Sequence, residues 1–176
     1  NNDLVRLAVK ENPNAQILYK PHPDVLSGSR PYASQPSDVA HIAKVLKKDF
    51  PLAQAFHEVD HVYTITSLSG FEALLRGIKV TTAGAPFYSG WGVTDDRQEV
   101  YRRVKKRSVE EIFAAAYILY SKYYDPDTGQ AIQIEDVIKN IIKLRPKNPA
   151  KPASVSSFFL NPGQSMLKPA AKTVAK

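Results

Sequence analysis

The 176-residue sequence contains no cysteine, which excludes disulfide bonds, a thiolate nucleophile and cysteine-ligated metal sites. It has no run of about 18 apolar residues and no signal-peptide pattern, so we expect neither a membrane-spanning helix nor an export signal within it. A glycine-rich dinucleotide fingerprint and a Walker loop are also absent. The sequence starts with Asn1-Asn2-Asp3 instead of methionine, and we expect it to be part of a longer chain.

Acidic residues are absent from positions 143–176, where seven of the 24 lysines and arginines lie. The other 17 basic residues are balanced by the 17 acidic residues of positions 1–142, so the last segment supplies the net charge of +7. We predict a folded domain over residues 1–142 and a basic, proline-rich disordered tail over residues 143–176. The neutral domain argues against a nucleic-acid partner.

Short apolar segments alternate with helical patterns along the first 142 residues. Strands are predicted at residues 15–19, 62–66 and 79–82. Helices are predicted at residues 3–11, 71–76, 108–120 and 133–144, with a further helix starting at Ser37. This alternation is typical of a parallel sheet covered by helices. We therefore predict an α/β fold with a Rossmann-like parallel sheet and helices on both faces.

The tetrapeptide Lys20-Pro21-His22-Pro23 follows the first predicted strand. Ligands of open α/β sheets bind outside the carboxyl ends of the strands, so this position favours a binding role. The prolines hold Lys20 and His22 on a stiff backbone, and two such donor groups suit a phosphate. The alternative is a proline-stiffened turn with a surface lysine and a capping histidine.

The second predicted strand leads into a helix through Ser67-Leu68-Ser69-Gly70. Backbone N–H groups at a helix start attract anions, the serine hydroxyls add donors, and Gly70 permits close approach to the backbone. Glu72 is suited to accept hydrogen bonds from ribose hydroxyls. The alternative is an ordinary helix start, with a capping box between Ser69 and Glu72. We expect one crevice to hold His22 and this turn, since both follow parallel strands.

A third segment, residues 84–96, carries aromatic residues between glycines. Aromatic faces stack on sugars and bases, which predicts sugar or acceptor contacts for Tyr88 and Trp91. The alternative is that these rings fill space beneath a turn. We expect Asp95-Asp96 to be solvated or to lie near Arg97, in preference to binding a metal ion.

The run of residues 102–107 is basic, with five of its six residues lysine or arginine. Such a run suits an anionic membrane surface or an acidic substrate, and a solvated charged loop is the alternative. His41, His57 and His61 have no metal-ligand spacing, and we expect no metal ion.

Three segments together resemble the capsule polysaccharide biosynthesis/export proteins of the KpsC/LpsZ type. They are residues 19–25, residues 62–77, and residues 84–92 followed by Thr94-Asp95-Asp96. Residues 116–120 and 124–129 are similar to the end of a module of that family. The resemblance runs in order from about Lys20 to about Ile142.

The resemblance implies a retaining β-Kdo transferase of GT-B-like architecture, of which this chain is the nucleotide-binding half of one module. Such enzymes use CMP-Kdo to build a Kdo linker on a phospholipid acceptor in capsule polysaccharide biosynthesis. It assigns His22, Ser67 and Ser69 to the CMP phosphate. From their chemistry, we also expect Lys20 and the Gly70 backbone to bind the phosphate and Glu72 to bind the ribose.

The resemblance also implies that no metal or other cofactor is needed, because donor groups of the protein stabilise the departing CMP phosphate. No position matches the catalytic carboxylate, which we expect in an amino-terminal half-domain, so this chain alone is expected to be inactive. The expected partners are the CMP-sugar, a glycolipid acceptor, that half-domain and an anionic membrane surface. The expected location is cytoplasmic, peripheral at the inner membrane. The alternative is a non-catalytic nucleotide-binding or export-assembly module of the capsule system.

Overall fold

The computed structural model describes residues 1–22, 35–46, 52–145 and 172–175. They belong to two compact units, the first made of residues 1–106 and 152–176 and the second of residues 107–151. The stretch that we expected to be one domain, residues 1–142, is thus divided near residue 106. Residues 146–171 of the expected tail lie outside the described residues.

A six-stranded parallel sheet lies at the centre of the first unit. Across the sheet the strands are β2 (Lys44–Val45), β1 (Gln16–Tyr19), β8 (Lys172–Ala175), β3 (His61–Thr64), β4 (Lys79–Thr82) and β5 (Asp95–Asp96). β1 and β3 consist mostly of β-branched or aromatic residues, and all of their residues except Gln16 are buried, as expected of strands covered on both faces.

Helix α1 (Asn2–Glu11) covers one face of the sheet. The core on this face includes Leu4, Val5, Ala8, Ile17, Tyr19 and Tyr63. Side chains alternate along a strand, so Thr64 points to the opposite face, where it lies beneath Gly70 of helix α3 (Leu68–Leu74). The prediction of a parallel sheet with helices on both faces is confirmed. A short helix, α2 (Leu52–Ala55), precedes β3.

The second unit starts with α4 (Val109–Phe113), where Ser108 and Glu111 form the predicted capping box. It continues as a π-helical segment (Ala114–Tyr120), the antiparallel hairpin of β6 (Tyr123–Tyr124) and β7 (Ala131–Ile132), and α5 (Ile134–Leu144). None of the residues of α5 is buried. No helix among the residues described has the length and apolar character needed to cross a bilayer.

Two expectations differ from the structure of the first unit. The helix expected from Ser37 is a 3₁₀ turn (Pro36–Val39) followed by β2, because the N–H of Leu46 bonds to the carbonyl oxygen of Tyr19 and extends the sheet. The disorder expected at the end of the chain is wrong for β8, whose backbone pairs with β1 and β3. Sheet pairing needs only backbone donors and acceptors, which a polar segment supplies as well as an apolar one.

Candidate functional site

The sheet places the first two candidate segments at the same edge. β1 and β3 are parallel strands on either side of β8, and their carboxyl ends lead into residues 20–22 and 67–70. Neighbouring strands are spaced by about 4.8 Å, so the ends of β1 and β3 are about 10 Å apart. The strand order also reverses here, since β2 lies outside β1 while β4 and β5 lie outside β3. Open α/β sheets bind ligands at such a position.

The segment after β1 does not expose both of its candidate side chains. Lys20 is buried, with 5% of its surface accessible, whereas His22 is exposed. The two side chains therefore differ in exposure, although both belong to the same proline-containing segment. Of the pair, His22 is the group that can contact a ligand directly.

The turn after β3 is organised by the hydroxyl of Ser67, which caps helix α3. The Ser67 Oγ accepts hydrogen bonds from the N–H of Ser69 at 3.3 Å and from the Ser69 hydroxyl at 2.8 Å. The N–H of Ser67 donates to Thr64 Oγ1 at 3.2 Å. A hydroxyl that accepts two hydrogen bonds still has one hydrogen to donate, so Ser67 can bind an acceptor such as a phosphate oxygen.

The capping box that we considered between Ser69 and Glu72 is not formed. Ser67 is the N-cap, which makes Gly70 the third helical residue, where a capping box needs a glutamate or glutamine. Ser69 is buried beneath the turn, and Glu72 is half-buried in α3. Glu72 is therefore left without a capping role.

Gly70 and Tyr88 pack against each other, which differs from the roles expected of both. Tyr88 is fully buried, and its hydroxyl donates to the carbonyl oxygen of Ser67. A Cβ atom on Gly70 would lie 2.3 Å from the Tyr88 hydroxyl oxygen, and the Gly70 N–H already donates to the Ser67 carbonyl oxygen at 3.1 Å. Gly70 thus makes room for Tyr88 instead of an anion, and the Tyr88 ring is not accessible to a sugar.

Burial raises the pKa of the Tyr88 phenol, and the nearby Asp96 carboxylate raises it further. The phenol therefore stays protonated at physiological pH and remains a hydrogen-bond donor to the Ser67 carbonyl. This bond links the aromatic loop to the serine turn, a relation that the two sequence segments did not indicate.

Trp91 is half-buried and is held by its own loop. Its indole N–H donates to the carbonyl oxygen of Phe87 at 2.8 Å, and the Arg103 guanidinium lies 5.5 Å from its ring centroid. Arg103 also donates to the carbonyl oxygens of Pro86 and Ser89 at 2.6 and 2.7 Å. One residue of the basic run therefore stabilises this loop, while its other basic residues are exposed.

Asp96 is a loop-organising residue that the sequence interpretation missed. Its carboxylate accepts hydrogen bonds from the Gly90 N–H at 2.7 Å and from the hydroxyls of Thr82 and Thr94 at 2.8 and 2.6 Å. Asp95 instead pairs with Arg97, which lowers the pKa of its carboxyl group. In the described part of the chain, no three His, Asp or Glu side chains are grouped to hold a metal ion.

Comparison with known proteins gives the family. Residues 1–123 match the Capsule_synth family, described as capsule polysaccharide biosynthesis protein. The chain belongs to this family. It is 56% identical over 141 residues to the lipopolysaccharide-processing protein LpsZ of Rhizobium meliloti, and 42% identical over 151 residues to the capsule polysaccharide modification protein LipA of Neisseria meningitidis serogroup B.

Two solved structures of Thermosulfurimonas dismutans KpsC are also similar. The β-Kdo 2,4 transferase is 37% identical and the β-Kdo 2,7 transferase 35% identical, each with a TM-score of 0.70. These matches cover 80% and 81% of this chain. The resemblance to KpsC/LpsZ-type capsule proteins, and the fold that it implied, are confirmed.

The family members are longer than this chain. The chain spans 32% of LpsZ, 21% of LipA, and 44% and 45% of the two KpsC chains. The family and the fold of the matched region are therefore known, and the activity of the complete protein is a separate question.

Proposed function

We propose that this chain is the donor-binding half of a retaining β-Kdo transferase that uses CMP-Kdo in capsule polysaccharide biosynthesis. The observation that carries the proposal is the likeness to two KpsC chains, named as β-Kdo 2,4 and 2,7 transferases, over four-fifths of this chain. Polar loops at the carboxyl edge of a parallel sheet, where the strand order reverses, support a nucleotide site at that position.

In this proposal the CMP phosphate lies between residues 20–22 and 67–70. The exposed imidazole of His22 donates a hydrogen bond, which is stronger when the ring is protonated. The Ser67 hydroxyl donates a second, and Ser69 positions it through the 2.8 Å hydrogen bond between their oxygens. Lys20 contributes its positive charge from a buried position, where the low local dielectric strengthens the attraction to an anion.

Transfer breaks the bond between the anomeric carbon of Kdo and a phosphate oxygen of CMP. Negative charge then develops on that oxygen, and His22 and Ser67 stabilise it. The carboxylate nucleophile belongs to the half-domain outside this chain, so this chain binds CMP without turnover. No metal takes part in this scheme, and we expect CMP affinity to be the same with and without EDTA.

The exposed apolar residues of the second unit support a half-domain partner. They include Ile118, Leu119, Tyr120, Tyr124, Ile138, Ile141, Ile142 and Leu144. Monomeric proteins rarely expose so many large apolar side chains in so short a segment. Residues 107–145 contain five basic and six acidic residues, so this surface has no net positive charge to attract an anionic bilayer. An apolar protein surface is the partner that it fits better.

The membrane and acceptor contacts in the proposal involve other residues. The basic residues from Lys147 onward and the exposed basic residues of 102–106 lie outside residues 107–145 and suit an anionic surface such as the cytoplasmic face of the inner membrane. Trp91, which is half-buried, is suited to contact the sugar or the glycolipid acceptor. Glu72 is assigned to the ribose hydroxyls.

Two measurements test the proposal. Calorimetry with CMP, and with UMP and AMP for comparison, should give measurable binding of CMP; no binding of CMP would contradict it. Mass spectrometry of the complete parent protein incubated with CMP-Kdo and a glycolipid acceptor should then detect transfer of Kdo. CMP binding without transfer would favour a non-catalytic nucleotide-binding or export-assembly module.

A further inference from the structure

The last strand of the chain lies in the middle of its sheet. β8 pairs in parallel with all four residues of β1 and with His61, Val62 and Tyr63 of β3. All other strands of this sheet come from residues 16–96. A segment remote in sequence therefore joins two groups of strands: β2-β1 on one side and β3-β4-β5 on the other.

The position between β1 and β3 must be filled for this sheet to be stable. Without a strand between them, β1 and β3 would each present unpaired N–H and C=O groups along one side. With β8 in place, three of the four residues of β1 and all four of β3 are buried, and the backbones of both strands pair with it. Buried unpaired backbone groups are costly, which explains why even a short polar segment is recruited.

The strand order indicates which strand normally belongs there. The usual doubly wound order is 3-2-1-4-5-6, with the first strand of the domain at the centre. Here β2, β1, β3, β4 and β5 correspond to the third, second, fourth, fifth and sixth strands of that order. The central place is that of a strand which precedes β1 in the chain. Helix α1 lies against β1, β3 and β8, as a helix connecting a central strand to β1 does.

We infer that the space between β1 and β3 is a strand-acceptor slot, filled in the longer family members by a parallel strand that precedes α1 in the same polypeptide. In this chain residues 172–175 occupy the slot. A strand directly ahead of α1 closes a short connection, whereas the 27 residues 145–171 separate β8 from α5. The shorter closure costs less entropy. The preceding strand should therefore displace β8 when both are present.

The first part of the test uses this chain as it is. Val174→Pro removes a backbone donor from β8, and we expect it to lower the melting temperature by roughly 5–10 °C, as deletion of residues 172–176 should. Val174→Ala keeps the backbone donor and is the matched control, with a smaller shift. An unchanged melting temperature in both the proline variant and the deletion would overturn the inference.

The second part of the test adds the inferred strand that precedes α1 in the longer family members. The chain is extended at its amino terminus by the residues that directly precede the matched region in KpsC, and hydrogen exchange is followed. Amides of residues 172–175 should then exchange at least about tenfold faster, and Val174→Pro should no longer lower the melting temperature. Continued protection of these amides would overturn the inference. A dimer in sedimentation with these amides still protected would also overturn it, because β8 would then pair with the sheet of a second copy. Neither readout involves CMP, so the result is independent of the proposed function.

Discussion

The hydroxyl of Tyr88 donates a hydrogen bond to the main-chain carbonyl oxygen of Ser67, the residue that caps helix α3. The bond joins the aromatic loop after β4 to the turn after β3. The position of the Ser67 hydroxyl, and with it the proposed phosphate site, therefore depends on a buried side chain that does not itself reach a ligand.

Replacement of Tyr88 by phenylalanine tests this dependence. The variant removes the phenol donor, while the Ser67 carbonyl oxygen keeps its hydrogen bond from the Gly70 N–H, so we expect a loss of about 0.5–1.5 kcal/mol in the free energy of unfolding. Chemical denaturation measures it. CMP affinity should fall as well, because the turn is held less firmly. An unchanged stability would show that the hydrogen bond contributes nothing.

Gly70→Ala is the companion variant, because its new Cβ would lie 2.3 Å from the Tyr88 hydroxyl oxygen. We expect it to destabilise the protein strongly by itself. In the Tyr88→Phe background that oxygen is gone, and the cost of Gly70→Ala should be smaller by about 0.5–3 kcal/mol. Strictly additive effects in the double variant would contradict the contact.

A second prediction concerns Asp96, whose carboxylate accepts three hydrogen bonds in the loop that carries Trp91. Asp96→Asn removes the negative charge and replaces one accepting oxygen by an amide donor, so either the Gly90 N–H loses its acceptor or the two threonine hydroxyls must reverse their hydrogen bonds, which also lose their charge assistance. We expect about 1–3 kcal/mol of destabilisation in denaturant unfolding. Asp95→Asn is the control; its carboxylate makes a partly exposed ion pair with Arg97 and a long hydrogen bond of 3.3 Å from the Thr81 hydroxyl, and its loss should cost less. Equal losses in the two variants would count against the special role of Asp96.

A third prediction concerns the loss of folding stability at acidic pH. Burial lowers the pKa of His61 to about 4, so the folded protein keeps this ring neutral while the unfolded chain protonates it near pH 6.5. Because the unfolded state binds the proton first, stability is full above pH 6.5 and declines as the pH falls toward 4, by up to about 1.4 kcal/mol per pH unit. Denaturant unfolding at several pH values measures this decline.

His61→Gln provides the control for this pH dependence. Glutamine can still bond to Thr81, the partner of the His61 ring at 2.9 Å, and it does not titrate. The decline between pH 6.5 and 4.5 should therefore be much reduced in this variant. The lowered pKa values of Glu11 and Asp95 cost stability only at more acidic pH, as these carboxylates become protonated. The same slope in both proteins across that window would refute the assignment to His61.

The regular elements near the site could be predicted from local sequence. β4 matches the expected residues 79–82, and β1 and α1 differ from expectation by one residue at one end, because apolar periodicity and prolines mark their limits. β3 and α3 begin one and three residues earlier than expected, and both end two residues earlier. The position of β8 could not be predicted, since its pairing depends on backbone groups of strands remote in sequence. The 3₁₀ turn and β2 were missed for the same reason.

The site was predicted in part. That residues 20–22 and 67–70 lie at one edge follows from parallel strands, which the alternating pattern indicated. The burial of Lys20 and Tyr88 could not be read from the sequence, because a lysine or an aromatic residue in a loop is compatible with either environment. The hydrogen bonds of Asp96 link residues brought together only by the folded loop.

The central claim is that His22 and Ser67 bind the same phosphate, and a double-mutant cycle on CMP affinity tests it most directly. Ser67→Gly removes the hydroxyl, with a capping cost of about a few tenths of a kcal/mol, and it also removes the acceptor of the Ser69 hydroxyl, whose cost denaturant unfolding measures separately. His22→Ala removes the imidazole. Each should weaken CMP binding by roughly 1–3 kcal/mol in calorimetry. If both contact one phosphate, the double variant should lose less than the sum by at least about 0.5 kcal/mol. Unchanged affinity in either variant, or losses that simply add, would contradict a shared site.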